Sequence, residues 1–292
     1  MPHDREVRAV FVRASQEENG NDGHDEIFAA TPYAGGPWSP DAQHGGAVCG
    51  LLGRALERIP TPVPMRIARV TFELMRPVPL TPLRVRTDVV RTGKRTPLAQ
   101  ASLHDGDTEV ARATALSLRT TEGLGLEAGP NVAPDEPLPF APGRGLPPTI
   151  RVEHLPGYLR AIDFVRADGE PDGKRASTVW FRMRVPLVEG EAPTPFVRLA
   201  SACDFTSGVA NALDFGRHVS INPDVTLYVE RVPRSDWIGV RGSTRVNADG
   251  TGFSQAEIYD AKGRIATAAT ALFVDVRGAP VRAPFSRGGA RT

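Results

Sequence analysis

The segment Gln43-His44-Gly45-Gly46 stands just before Val48, Leu51, Leu52, Ala55, Leu56 and Ile59, an apolar series with helical spacing. A helix that starts there presents backbone N–H groups without intrahelical partners, at the positive end of the helix dipole. Glycines at that point let a carbonyl oxygen approach the amides closely. Such amides can hold the oxyanion that forms when water adds to an acyl carbon, provided a base orients or deprotonates the water. Gly45 and Gly46 are therefore candidates for shaping a carbonyl pocket, with His44 at its edge. The plainer alternative makes His44 a helix cap and the glycines aids to a turn. Asp204 is the candidate carboxylate. Phe205, Val209, Ala212 and Leu213 follow it and predict a second helix over 204–214 that Asp204 opens. A carboxylate there either serves chemistry or only stabilises a helix N-terminus. Trp38, beside the glycine-rich stretch, could line an acyl tunnel or simply pack; Trp180 and Trp237 read as packing residues.

The elements that position these residues occur twice. At a shift of 155 residues Val70-Thr71-Phe72 lies over Val225-Thr226-Leu227, Gln100-Ala101 over Gln255-Ala256, Asp105 over Asp260, and Val110-Ala111 over Ile265-Ala266. Upstream the shift becomes 157, which lays Ala55-Leu56-Glu57 over Ala212-Leu213-Asp214. Each unit therefore holds a helix followed by strands. Leu83 to Val89 alternate between charged and apolar or Thr residues, the pattern of a sheet with one wet face. Asp105-Gly106 is a hairpin signal and Asp260-Ala261-Lys262-Gly263 a looser one. Ala111, Ala113 and Ala115 put small side chains on one strand face, where a helix can lie close. Residues 121–150 are rich in Pro and Gly and read as a surface linker between a unit over 1–120 and a unit over 151–280; 281–292 read as a flexible tail.

Composition narrows the function classes. Thirty-five Lys and Arg against 34 Asp and Glu leave a net charge of +1, so nothing draws the chain to nucleic acid or an acidic membrane. No signal-peptide core or membrane-length apolar segment is present, and the expected location is cytoplasmic. Cys49 and Cys203 form no CxxC pair and read as reduced, buried thiols, with neither a metal nor a redox role. No Gly-x-Ser-x-Gly elbow and no phosphate-binding glycine loop occur. Asn222-Pro223 lacks the flanking Asp and His of the hydratase run Asp-x-Asn-Pro-x-His, and the Asp214 and His218 pair reads as a surface feature.

The stretch from Gly36-Pro37-Trp38 to Gln43-His44-Gly45-Gly46, the helix after it, and Leu199-Ala200-Ser201-Ala202-Cys203-Asp204 resemble the TesB-like acyl-CoA thioesterases, from about Ile27 to Val274. The resemblance implies an α+β tandem, or double, hotdog fold, each unit an antiparallel sheet wrapped around a long central helix. It implies a water-positioning set of Asp, Ser or Thr, and Gln. Asp204 matches the first member and Ser220 the second, although Asn222-Pro223 replaces the family's Asp-His and Leu227-Tyr228 its aromatic-His pair. The Gln position falls at Thr270, which has no amide to offer. The implied catalytic set is thus Asp204, Ser220 and Thr270, with His44, Gly45, Gly46 and Trp38 binding substrate. For Ser220 and Thr270 the plain alternatives are a strand-start hydroxyl and a residue chosen for β-propensity. The implied activity is hydrolysis of a fatty or small acyl-CoA, without cofactor or metal. The altered set keeps a second reading open, a protein that binds acyl thioesters without cleaving them. Arg54, Arg58, Arg66, Arg69, Arg76 and Arg231 are candidates for meeting CoA phosphates. Homo-oligomerisation is left open.

Overall fold

The computed structural model describes residues 8–18, 24–125, 155, 157–168, 175–210, 213–214 and 216–278. Most of the expected linker and all of the expected tail lie outside the described residues. The strands are β1 (Phe11–Glu18), β2 (His24–Ala30), β3 (Met65–Glu73), β4 (Leu83–Arg91), β5 (Leu98–Asp105) and β6 (Thr108–Arg119) in the first half. The second half holds β7 (Ile162–Asp168), β8 (Ser177–Met183), β9 (His218–Ile221), β10 (Asp224–Val229), β11 (Ile238–Val246), β12 (Thr251–Asp260) and β13 (Gly263–Val276). Helix α1 (Gly45–Glu57) precedes β3, and α2 (Pro195–Cys203) precedes β9.

The strands form a 13-stranded antiparallel sheet in the order β1-β2-β4-β5-β6-β3-β10-β13-β12-β11-β8-β7, with β9 paired to β13 beside this path. The order reads the same from both ends once each strand is exchanged for its repeat partner. At the seam, Val70 faces Leu227, Thr71 faces Thr226 and Phe72 faces Val225. The two threonine hydroxyls meet at 3.1 Å. Thr71 and Thr226 are also equivalent under the 155-residue repeat, so a local two-fold axis passes between them. Both hairpin signals fall at turns: Gly106, at φ 57°, follows β5, and Asp260 pairs with Gly263 across the β12–β13 turn.

Both helices lie on one face of the sheet and against each other. α1 packs on β4, β5 and β6, where Ala111, Ala113 and Ala115 are buried beneath it, and α2 packs on β8, β10 and β11. Their approach is close: a Cβ on Gly53 would stand 2.8 Å from the Ala200 Cβ. Leu51, Leu52 and Leu199 are fully buried there.

The helices correct two expectations. They are not long: α1 has 13 residues and α2 only 9. The second does not start at Asp204. Thr194 caps α2 through a bond from the Val197 N–H, and Pro195 occupies the first turn, where its missing N–H costs nothing. Asp204 instead follows the last residue of α2. There the Thr206 hydroxyl bonds the Cys203 carbonyl at 2.5 Å, and residues Asp204–Thr206 tighten into a 3-10 turn. The stretch Leu199–Cys203 before Asp204 is the C-terminal part of α2.

Two arginines considered for phosphate contacts are engaged within the fold. Arg54, 4% exposed, holds Glu26 and Glu191 through four hydrogen bonds of 2.7 to 3.1 Å. Arg231 forks onto Asp260 at 2.7 and 2.6 Å.

Candidate active site

The loop before α1 is fixed at several points. Gln43 N–H bonds the Val78 carbonyl at 2.7 Å, its side-chain amide bonds the Pro79 carbonyl at 2.7 Å, and His44 N–H bonds the Ala34 carbonyl at 2.8 Å. This delivers His44 to the N-cap of α1, where its Nδ1 accepts the Gly46 N–H at 2.9 Å. The same Nδ1 lies 3.3 Å from Asp204 Oδ2. A ring nitrogen can accept the amide only without its proton and can donate to the carboxylate only with it. The two contacts are therefore alternatives, and His44 is poised between them. Burial lowers the pKa of His44 although the nearby Asp204 charge opposes the shift, so the neutral, amide-accepting ring is the resting form near neutral pH.

Asp204 comes to the start of α1 from the end of α2. Its carboxylate occupies the space that a side chain at position 45 would need: a Cβ on Gly45 would stand 2.6 to 2.7 Å from the carboxylate atoms. The residue is 8% exposed. Among the described residues no Lys or Arg pairs with it. A buried carboxylate without a cation is costly unless dipoles hold it; the N-terminal end of α1 supplies one. A second support is the Asn222 amide, which donates to Asp204 Oδ1 at 3.0 Å and to the Asp204 carbonyl at 2.9 Å. Asn222 is itself oriented by the Ser207 hydroxyl, which donates to its Oδ1 at 2.7 Å. A chain of contacts thus runs from Gly46 through His44, Asp204 and Asn222 to Ser207.

Rings enclose the histidine. Phe205 and Tyr158 have their centroids 4.9 and 5.1 Å from that of His44, and Phe181 stacks on Phe205 at 4.3 Å. Tyr158 N–H bonds the Gly35 carbonyl at 2.8 Å, which ties this ring to the loop before α1. Burial pushes the Tyr158 phenol well above its usual range and keeps it protonated.

Two acyl-CoA thioesterase family models match the chain: the N-terminal domain over residues 34–118 and the C-terminal domain over residues 131–274. The chain belongs to the acyl-CoA thioesterase family. Solved structures agree on the fold. An acyl-CoA thioesterase II from Mycobacterium marinum has TM-score 0.62 and 16% identity, over 92% of this chain and 97% of that one. A tesB protein from Mycobacterium avium subs paratuberculosis has TM-score 0.64 and 15% identity, over 89% and 96%. A protein with hot dog fold from Alicyclobacillus acidocaldarius has TM-score 0.63 and 15% identity, over 91% and 97%. At these identities the likeness is one of fold. No match is found among curated proteins.

In this thioesterase-family chain the predicted site residues are only partly brought together. His44, Gly45, Gly46 and Asp204 converge. Gly46 leaves room for the Ser201 carbonyl and the Tyr158 ring, 2.8 and 2.9 Å from the position of a Cβ there. Ser220 lies buried on β9 opposite Val274, two residues before Asn222. Thr270 is buried on β13 opposite Ser254, and its hydroxyl donates to the Ala271 carbonyl at 2.7 Å, not to Asp204. Trp38 is 38% exposed, with the Arg277 guanidinium 5.7 Å above its ring. Asn222, Ser207, Tyr158 and Phe205 were not foreseen as site residues. The signal for Asn222 was its place two residues after Ser220, where it stands for a family Asp. An Asn there can offer the amide that Thr270 cannot.

Among the described residues no group of three or more His, Cys, Asp or Glu could hold a metal ion, and no helix is long and apolar enough to cross a membrane. Cys49 and Cys203 are free and buried, and burial raises the Cys49 thiol well above its usual pKa.

Proposed function

We infer that the protein hydrolyses acyl-CoA thioesters at the junction of α1 and the Asp204 turn, within a fold of two hotdog units. The observation that carries this reading is the buried Asp204 carboxylate, with no Lys or Arg partner among the described residues, set against the start of α1. In the proposed reaction Asp204 orients a water and accepts its proton as the water oxygen bonds to the thioester carbon. The oxyanion so formed is held at the N-terminus of α1, where the Gly45 N–H has no partner among the described residues. Collapse of the tetrahedral species breaks the carbon–sulfur bond, and the proton passes to the departing thiolate. The products are a carboxylic acid and the free thiol of CoA. Asn222 takes the positioning role that a Gln amide would fill, and Ser207 fixes Asn222. Neutral His44 holds the Gly46 amide and shields the site on its apolar side. Ser220 lines the wall near Asn222, and Thr270 supports the strand behind it.

A second reading, binding without rapid cleavage, is favoured by one observation: Thr270 directs its hydroxyl to a neighbouring carbonyl. Release of free thiol from a panel of acyl-CoAs, short to long, separates the two. Saturable release well above the buffer rate is expected. Tight binding with release no faster than buffer would overturn the hydrolytic reading.

A further inference from the structure

The two helices cover one face of the sheet. On the opposite face, over β10, β12 and β13, large rings stand in water: Phe253 is 42% exposed, Phe273 52% and Tyr228 55%. Their strand neighbours Ser254, Leu272 and Leu227 point the other way and are buried. Aromatic side chains gathered on an outward sheet face mark a surface that another molecule covers.

Residues paired across neighbouring strands share a face, so the ladder registers give the rows on it. One row runs Arg245, Phe253, Ala271 across β11, β12 and β13. Asp224 of β10 continues it and accepts the Ala271 N–H at 2.9 Å. In the next row Gln255 faces Ala269. The row after that runs Arg241, Glu257, Thr267, Tyr228 in the same strand order. With strands about 4.8 Å apart, Arg245 and Asp224 each lie about 7 Å from the line midway between β12 and β13, on opposite sides of it. Arg241 and Tyr228 do the same.

This pattern is self-complementary. A two-fold axis along that line, lying in the plane of contact between two copies, carries each residue onto the far end of its own row. Arg245 of one copy then meets Asp224 of the other, and Arg241 meets the Tyr228 ring, each contact made twice. Phe253 lands on Ala271 and Gln255 on Ala269, large against small, so the two faces interdigitate. Aligned sheets cross at about 30°, which displaces these rows by roughly 4 Å, within the reach of an arginine side chain. The other half of the chain lacks the pattern. Its equivalent row runs Arg91, Leu98, Leu116, Arg69, and the same operation would set arginine on arginine and leucine on leucine. The four strands are about 19 Å across, and Thr267–Phe273 with their side chains span about 25 Å. Each copy therefore offers about 500 Å², or about 1,000 Å² for the pair, which reaches the size of a specific interface.

We propose that the chain forms a symmetric dimer through the outward face of β10–β13, with Arg245 of each copy on Asp224 of the other. The proposal is independent of the chemistry at Asp204.

Sedimentation equilibrium of the full chain between about 1 and 200 µM tests it, and an interface of this size predicts a dimer Kd of about 1–50 µM. Arg245→Glu places like charges together and should weaken the dimer about tenfold or more. Asp224→Lys should do the same, and the double variant, with the charges exchanged, should recover the wild-type Kd. Ala271→Phe, an exposed change that sets ring against ring, should also weaken it about tenfold or more. Circular dichroism melting of each variant at low concentration checks the fold; if Asp224→Lys does not fold, Arg245→Glu and Ala271→Phe decide. A wild-type chain that stays monomeric to about 200 µM overturns the proposal and leaves the face to a different occupant. A dimer that survives both Arg245→Glu and Ala271→Phe unweakened also overturns it, because the contact then lies elsewhere. A folded double variant no tighter than its single parents overturns the pairing of Arg245 with Asp224.

Discussion

Asn222→Asp probes the support of Asp204 with almost no change in size. The Asn222 amide nitrogen lies 3.0 Å from Asp204 Oδ1. With a carboxylate in its place, two negative oxygens would face each other at that separation. At an effective dielectric of about 20 their repulsion is about 5 kcal/mol. Holding a proton on an ordinary carboxyl at pH 7 costs about 4 kcal/mol, some three pH steps at about 1.4 each. Protonation is the cheaper course, so the folded variant binds a proton that the unfolded chain does not. Its deficit against the wild-type protein is then about 4 kcal/mol at pH 7 and about 1 kcal/mol at pH 5. The sign follows from linkage: the variant pair is protonated more readily folded than unfolded, so stability is lost as pH rises. Asn222→Ala removes three hydrogen bonds, two to Asp204 and one from Ser207, and costs about 1–3 kcal/mol at both pH values. Urea unfolding of the three proteins at pH 5 and pH 7, at one ionic strength, reads these differences. An Asn222→Asp deficit equal at both pH values would show that the 3.0 Å contact is not formed in solution.

Gly45→Ala places a methyl 2.6 Å from Asp204 Oδ1, so the carboxylate must move. Thiol release should fall about tenfold or more while the melting temperature changes little, because Ala also favours the helix; unchanged kinetics would separate Asp204 from the chemistry. His44 has its pKa lowered chiefly by burial, so the unfolded chain takes up a proton below pH 6.5 before the folded one does. Stability therefore rises with pH up to that value, and His44→Gln should flatten the fall in melting temperature between pH 7.5 and pH 5.5. An undiminished fall would show that His44 is not desolvated. Arg54→Met leaves Glu26 and Glu191 with only the more exposed Arg13 and Arg58 as partners and should cost about 1–3 kcal/mol at neutral pH. Burial opposes ionisation of Glu191, but the Arg54 hydrogen bonds outweigh it and hold the carboxyl below its usual range. That stabilisation exists above the ordinary Glu pKa and fades below it, so the gap between Arg54→Met and wild type should narrow toward pH 4 in urea unfolding; a constant gap would count against the pairing.

Much of the scaffold was legible because pattern and physics coincide there. Alternation in Leu83–Val89 marked β4, the helical series from Val48 marked α1, and the threonines equated by the repeat meet across the seam. The second helix was misplaced because its decisive signals are local: a Thr194 cap, Pro195 in the first turn and a threonine that bonds back at the far end. Apolar periodicity continues from Leu199 past Asp204, so period alone could not place the boundary. The sequence reading puts Asp204 at the start of its own helix. It stands at the start of a helix, but of α1, and only tertiary packing of one half on the other puts it there. Asn222 was passed over because sequence comparison registers it as a missing Asp. Its amide gains meaning only when the β9–β10 connection brings it onto the Asp204 turn.

In the proposed reaction Asp204 activates water at the start of α1. Its most direct test is single-turnover thiol release by Asp204→Asn on an acyl-CoA that the wild-type protein cleaves, with substrate affinity measured in parallel. The rate is expected to fall about a hundredfold or more with Kd nearly unchanged, since the substituted side chain keeps its shape and loses its basicity. A rate within a few-fold of wild type would contradict it.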